Sequence, residues 1–466
     1  MKIEPKPGKI VRYLSVTISA PVPTTGWGEK GAMVRKTVSQ PDEGFLSLIV
    51  PPPKEKKVSM TICCTLHRPR STFLISLCLL VLSASLLQAP LPAEASPPTY
   101  KIIDLGFLPR GAGGGFGQAV NASGQVAGSS FYDPGSDSHA FRSSGPNPPI
   151  VLSDLSDLGG FTSHGFGINQ AGKVVGESDT VDFDTHAFRS TAGTGPLIDL
   201  GTLGGPTSTA RGINDSSVVT GWSDTAVGRT HAFRTSGSAI APGDDLGTLG
   251  GGADFSHGYG INAAGQVTGD SAFGSVTHAF RTTAAGAINV AADLGILPGG
   301  ASSFGRAINV SGQVAGYADM SGGTFHAFRS TGNGAAILTL TDLGTLGGNS
   351  QGFGINTTGD VVGASNGKAF LYTDAFGILD LNSDIDAASQ IQFPDWILNA
   401  ANGINDSGLI TGFATDSSSV THAFLLEPDA IITPEPGTVA LLTAGTLAGT
   451  GVLWRRRKRP SSTQVP

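Results

Sequence analysis

The chain has 466 residues, of which 39% are hydrophobic, 14% are charged and 67 are glycine. A glycine share about twice the usual, with so few charges, argues against long helices and for many short strands joined by tight turns. Between residues 96 and 454 there are 12 Lys and Arg against 30 Asp and Glu, a surface that repels phosphate backbones and excludes nucleic acid as a partner.

Residues 1–59 are rich in Pro and Lys, lack hydrophobic periodicity, and read as a mis-called start or a disordered extension, with Met60 as the start. His67, Arg68 and Arg70 then lead into the apolar run from Phe73 to Leu87, and Ala93-Glu94-Ala95 places small residues where a signal peptidase reads them. Residues 60–95 are therefore expected to be a secretory signal peptide cut after Ala95. An uncleaved anchor is the alternative, although the apolar run is short for a span. Cys63, Cys64 and Cys78 all precede the cut, so a mature chain starting at Ser96 has no cysteine to oxidise outside the cell.

From residue 96 to 429 a unit of about 47 residues repeats seven times. Asn121, Asn169, Asn214, Asn262, Asn309, Asn356 and Asn405 mark equivalent positions, 45 to 49 residues apart. In one unit, Asp245 to Gly251 ends a strand and turns, Gly258 to Asn262 is a second strand, Gln266 to Gly269 a third and Thr277 to Arg281 a fourth. Asn262-Ala263-Ala264-Gly265 is the hairpin turn, since Asn favours the first turn position and Gly tolerates positive φ at the last. The Asn-x-Ser/Thr sequons at Asn121, Asn214, Asn309, Asn356 and Asn405 are read as turn chemistry before glycosylation.

Four short strands per unit is the size of one propeller blade, and a lone blade cannot bury both its faces. The fold class expected is all-β: a seven-bladed β-propeller of four-stranded repeats, with a parallel β-solenoid as the rival. Tyr100 to Gly106 matches an outer strand with no inner strands before it, and the last unit, ending at His422-Ala423-Phe424, lacks an outer strand. Pairing the two completes the seventh blade and removes the open edges.

The triplet His-Ala-Phe stands at His139, His186, His231, His278, His326 and His422, with Lys368 in the sixth unit. Its companion Asp-Leu-Gly begins at Asp104, Asp157, Asp199, Asp245, Asp293 and Asp342 and decays at Asp380. With these signatures, residues 100–427 resemble the extracellular HAF-repeat family, a resemblance that implies a secreted bacterial protein and carries no settled activity. The histidines cannot share one metal ion while spread around a ring, so their expected role is structural: the Phe packs between sheets and the His hydrogen-bonds to the backbone of a neighbouring turn.

Carboxylates gather in the connections between the third and fourth strands of the units, and the densest loop, with Glu177, Asp179, Asp182 and Asp184, is the candidate metal site, calcium being the cation that takes such oxygens. A solvated acidic loop is the alternative, and no other cofactor is expected. His-Glu-x-x-His and phosphate loops are absent from the sequence. The chain is read as no enzyme. His164 and His257, outside the triplets, are placed at the rim or the axial channel.

After a linker at 430–436, Pro434-Glu435-Pro436 precedes an apolar stretch at 437–454, long enough to span a bilayer as a helix, and a basic tail at 455–466 headed by Arg455, Arg456, Arg457, Lys458 and Arg459. This order resembles the PEP-CTERM sorting signal of Gram-negative bacteria. The resemblance implies signal peptidase and exosortase as partners during export, a transient inner-membrane tether through the C-terminal helix alone, and release towards the surface. The expected function is a non-catalytic repeat protein displayed at the cell surface or in the extracellular polymer matrix. The alternatives are a polysaccharide-binding module with an acidic, calcium-dependent rim, and a polysaccharide lyase or glycosidase on the same scaffold.

Overall fold

The computed structural model describes residues 46–50, 58–62 and 96–429, apart from the short stretches 110–112, 132–136, 194, 251–253 and 334–338. Every ladder between named strands in residues 96–429 is antiparallel, which rules out the parallel solenoid.

These strands make seven sheets around an axis. Blade 1 comprises Gly115–Val120, Val126–Phe131, Ser138–Ser143 and Leu152–Asp154. Blade 2 comprises Gly159–Ile168, Val174–Thr180, Thr185–Arg189 and Ile198–Asp199. In blades 3 (Gly204–Ile213, Val219–Thr225, Thr230–Arg234) and 4 (Ser256–Ile261, Val267–Phe273, Val276–Arg281) the outer strand shrinks to a bridge at Asp245 or Asp293. Blade 5 is Ser303–Ile308, Val314–Asp319, Phe325–Ser330 and Leu340–Asp342; blade 6 is Ser350–Ile355, Val361–Ser365, Lys368–Thr373 and Gly377–Asp380. Blade 7 takes Ile397–Ile404, Ile410–Thr415 and Thr421–Pro428 from the end of the repeats and Tyr100–Asp104 from their beginning. The register runs from Phe424↔Asp104 to Pro428↔Tyr100, so the ring closes as the unmatched strands require.

The core lies between blades. Phe141, Phe188, Phe233, Phe280, Phe328, Phe370 and Phe424 of the triplets are fully buried, each worth roughly 1.5–3 kcal/mol of hydrophobic stabilisation. Between blades 2 and 3, for example, Val175, Ala187 and Leu200 pack with Ala210, Val219 and Phe233. Each ring needs a glycine beneath it: a Cβ on Gly269 would overlap the His257 carbonyl oxygen and crowd the Phe280 ring at 3.0 Å.

Polar staples repeat with the same period. The N–H of the triplet alanine donates to a buried serine at or near the start of the next blade's first strand, as Ala279 does to Ser303 Oγ at 2.9 Å and Ala232 to Ser256 Oγ at 2.9 Å. The arginine after the triplet donates to the inner turn of the next blade: Arg142 to Gly172 O at 2.8 Å, Arg234 to Gly265 O at 3.2 Å, Arg281 to Gly312 O.

The repeated asparagines do more than open turns. In the Asn262 turn the backbone closes from Gly265 N to Asn262 O at 2.9 Å, with Gly265 at φ +83°, as the turn chemistry requires. The side-chain amide of six of the seven then donates to the backbone carbonyl of the equivalent Asn in the next blade, from Asn121→Asn169 through Asn309→Asn356, and Asn405→Asn121 at 2.9 Å crosses the closure. Asn356 donates to Asp360 at 2.9 Å, as Asn121, Asn262 and Asn309 also donate to the glutamine four residues on. These amides are buried and bonded, which leaves the sequons no free nitrogen to glycosylate.

Two expectations need correction. The histidines pair with carboxylates, not with a backbone turn. Nδ1 of His139, His186, His231, His278 and His326 lies 2.9–3.0 Å from the carboxylate of Asp154, Asp199, Asp245, Asp293 and Asp342, the aspartate of the same blade's outer strand. Lys368 keeps the arrangement, with Nζ 2.7 Å from Asp380, while His422 takes Asp416 at 3.3 Å. The outer-strand aspartate of blade 1 is accordingly Asp154, not Asp157, because Phe141 pairs with Asp154 in register and Asp157 falls in the connection to blade 2.

Apart from the propeller, Leu46–Val50 and Val58–Ile62 form an antiparallel pair, with Leu48 opposite Met60. The cleavage site at Ala95, the motif Pro434-Glu435-Pro436, the apolar stretch 437–454 and the basic tail lie outside the described residues. Among the described residues no helix is long and apolar enough to cross a membrane.

Candidate binding site on the propeller axis

The first strands of successive blades touch one another all the way round the ring, so one residue from each is brought to the axis. That residue is the third before each repeated asparagine: Gln118, Phe166, Arg211, Tyr259, Arg306, Phe353 and Asn402 in blade order. Together with Tyr317 and Gln351 they line a cavity of about 390 Å³. The flanking positions hardly vary from blade to blade, being Gly or Ala before and after, with Ile or Val next, whereas this one takes five residue types. The frame is fixed by close approach, since a Cβ on Gly212 would sit 2.8 Å from the Tyr259 carbonyl oxygen of the neighbouring blade.

Two arginines stand out in this lining. Arg306 is held from several sides: its Nη2 donates to Tyr317 Oη at 2.7 Å, its Nη1 lies 3.6 Å from Asp270, and its guanidinium stacks over the Tyr259 ring at 3.9 Å. Burial works to lower its pKa, but Tyr259, Tyr317 and Asp270 outweigh that and hold it above its ordinary value. Arg211 lies 3.7 Å over the Phe166 ring and 4.8 Å from that of Trp222, contacts worth about 0.5–2 kcal/mol each when partly desolvated. Its Nε is buried without a hydrogen-bond partner. Burial lowers its pKa, and the nearby charge of Arg306 adds to that, against the opposing pull of Glu177.

A second layer, on the second strands and one step farther from the axis, carries the carboxylates. Glu177 accepts from Thr209 Oγ1 at 2.8 Å and lies 3.6 Å from His164 Nδ1. Burial acts to raise its pKa, but the bonds from His164 and Thr209 and the charge of Arg211 keep it below the usual carboxylate range. Asp270 is the cross-strand neighbour of His257, at 3.0 Å from Nδ1. Both off-triplet histidines therefore stand beside the axial site, and the partner of His257 is Asp270. His164 also borders a second cavity of about 330 Å³, which shares Gln118 and Phe166 with the axial one.

The loop read as a metal site is not assembled. Glu177 turns to the axial layer, Asp179 is occupied by Thr162 Oγ1 at 2.7 Å and Thr185 Oγ1 at 3.2 Å, and Asp182 and Asp184 are exposed. Among the described residues no three His, Cys, Asp or Glu side chains converge as an ion requires. Other acidic rim residues cap backbone: Asp319 accepts from the N–H of Ala301 and Ser302, and Asp416 from Ser418 and Val420. The triplet histidines remain dispersed among their own blades.

Comparison with known proteins adds an address. Residues 433–458 match the PEP-CTERM protein-sorting motif. The chain carries an exosortase sorting signal. Such a motif implies export, a membrane-anchored transient stage and sorting to the surface or exterior. No curated protein matches the chain. Among solved structures, the crystal structure of TolB from Acinetobacter baumannii is similar at 10% identity over 73% of this chain and 78% of that one, with a TM-score of 0.32.

Proposed function

We propose that the protein is a non-catalytic extracellular propeller, exported by a cleaved signal peptide, tethered briefly by its C-terminal segment, and delivered by an exosortase to the cell surface or the extracellular polymer matrix. The observation that carries this reading is the sorting motif at 433–458, just beyond a ring that closes on itself by Asp429. Closure by strands at both ends makes the propeller a self-contained cargo, independent of the tail for its edges. The resemblance of the repeats to the extracellular HAF-repeat family supports the same destination. Mass spectrometry of the mature C-terminus after cell fractionation tests it. Loss of Arg455 to Arg459 from the surface form is expected, and so is retention of the precursor in the inner membrane when Pro434-Glu435-Pro436 is changed to alanine. Intact Arg455 to Arg459 on surface protein in an exosortase-containing host would leave a plain anchor instead.

A further inference from the structure

We propose that the axial cavity binds a sugar carrying one carboxylate, a hexuronate, with Arg211 as the anchor of the carboxylate. The inference concerns a ligand site and stands whether or not the protein is sorted as described above.

Arg211 is positioned like a binding group and not like a structural one. A structural arginine here is shown by the residues after the triplets, whose guanidinium groups reach backbone carbonyls of the next blade. Arg211 instead is oriented by stacking on Phe166 and Trp222, with no hydrogen bond from its guanidinium to another described residue and its Nε buried without a partner. Stacking covers the face of a guanidinium and leaves its edge, where all five N–H donors point, to a planar acceptor. Glu177, the carboxylate whose charge acts on Arg211, accepts from Thr209 Oγ1, lies 3.6 Å from His164 Nδ1 and makes no hydrogen bond to the guanidinium. A ligand carboxylate supplies what the protein withholds.

The rest of the lining says what the carboxylate is attached to. Phe353 brings an aromatic ring to the lining beside Phe166 and Tyr259, each of which carries a guanidinium over one face, and Gln118, Gln351 and Asn402 bring amides with both donors and acceptors. Rings that pack on C–H faces beside amides that bond hydroxyls suit a sugar, and about 390 Å³ is within the range of small-ligand sites. Charge limits the ligand to a single negative group: Arg211 and Arg306 are backed by Glu177 and Asp270, so a doubly charged phosphate meets repulsion from the second layer that a monocarboxylate largely escapes. The acidic exterior of the repeats likewise disfavours an extended polyanion.

The test is isothermal titration of the full-length purified chain with glucuronate and galacturonate, and with glucose, galactose, acetate and inorganic phosphate as the comparison set. The uronates are expected to bind at least about tenfold more tightly than any of the other four, the discrimination that one charge-assisted bidentate pair supports. Arg211→Gln should weaken uronate binding at least about tenfold with the thermal transition retained, and Arg211→Lys, which keeps the charge but not the fork, should fall between. Acetate binding as tightly as glucuronate would overturn the sugar assignment, and glucose binding as tightly would overturn the role of charge. Phosphate binding more tightly, absence of uronate binding, or full affinity in both Arg211 variants would each overturn the proposal.

Discussion

Replacing Ile102 with alanine should weaken the whole ring, although Ile102 sits on the first strand of the propeller and its cross-strand partner, Leu426, is more than 300 residues away in the chain. The side chain is 6% exposed and packs with Val362, Leu371, Leu381, Leu398, Phe424 and Leu426, drawn from blades 6 and 7 and the segment between them. Its backbone N–H donates to Ser389 Oγ at 2.9 Å, fastening the strand to the short helix Ala387–Gln392 as well. Truncating a buried Ile to Ala costs about 2–5 kcal/mol through lost transfer energy and the cavity left behind. For a domain of this size that corresponds to a fall of roughly 3–7 °C in melting temperature. Lys101→Ala is the control on the same strand: its ion pair with Glu427, at 3.8 Å between half-exposed side chains, should contribute at most about 1 kcal/mol. Differential scanning calorimetry decides between closure and fraying. A single transition displaced as a unit in Ile102→Ala, and nearly unmoved in Lys101→Ala, is expected. If both variants melt with the wild type, or if deletion of residues 96–106 leaves the main transition where it was, the strand contributes nothing to the ring and the closure argument fails.

His278→Ala removes the partner of a partly buried carboxylate, Asp293, and should cost roughly 1–3 kcal/mol in chemical denaturation without altering uronate titrations; loss of a stoichiometrically bound metal in this variant would contradict the structural role. The His139 pair should make stability depend on pH. Burial acts to lower the His139 pKa, but the hydrogen bond and charge of Asp154, with the charges of Asp157 and Asp137, outweigh it and raise it above 6.5; burial acts to raise Asp154, and His139 together with the Ser156 N–H outweighs it, lowering it below 3.8. The raised histidine contributes stability fully below pH 6.5 and loses it as pH climbs through its folded value, while the lowered aspartate contributes above pH 3.8 and loses it as pH falls through its own. The stability difference between wild type and His139→Gln should therefore be widest between those values and narrow on the alkaline side. Equal differences at about pH 5 and about pH 8 would remove the histidine's charge from the explanation.

The sorting address, the number of units and their four strands were legible in the residues because each is written locally. Proline, glycine and asparagine turns punctuate the strands at a fixed interval, and a surplus outer strand at one end with a deficit at the other admits one economical solution, which the pairing of Phe424 with Asp104 realises. His278 and Asp293 were both visible as signatures, yet their pairing was not. Sequence spacing does not state that an outer strand returns in the register that sets Phe280 opposite Asp293 and so aligns their neighbours. The same cause misplaced the outer-strand aspartate of blade 1, where Asp154 and Asp157 each begin a plausible signature and only the ladder chooses Asp154.

The axial site shows where local pattern ends. The residues between the glycines, Arg211, Tyr259 and Arg306 among them, were present as a variable position between near-constant neighbours, a signal available without any structure. Alternation along a strand says that such residues share a face; it does not say which face looks inward, because in a propeller both faces of each blade are covered by neighbours. Ring closure decides that, by bringing the first strands of seven blades into contact around one axis. The same closure turned Glu177 from a loop carboxylate awaiting calcium into the partner of Thr209 and His164 behind Arg211. Local chemistry thus determined the blade, and the long-range geometry of seven blades determined what stands at their centre, since contacts between residues nearly 50 positions apart depend on the path of the whole chain.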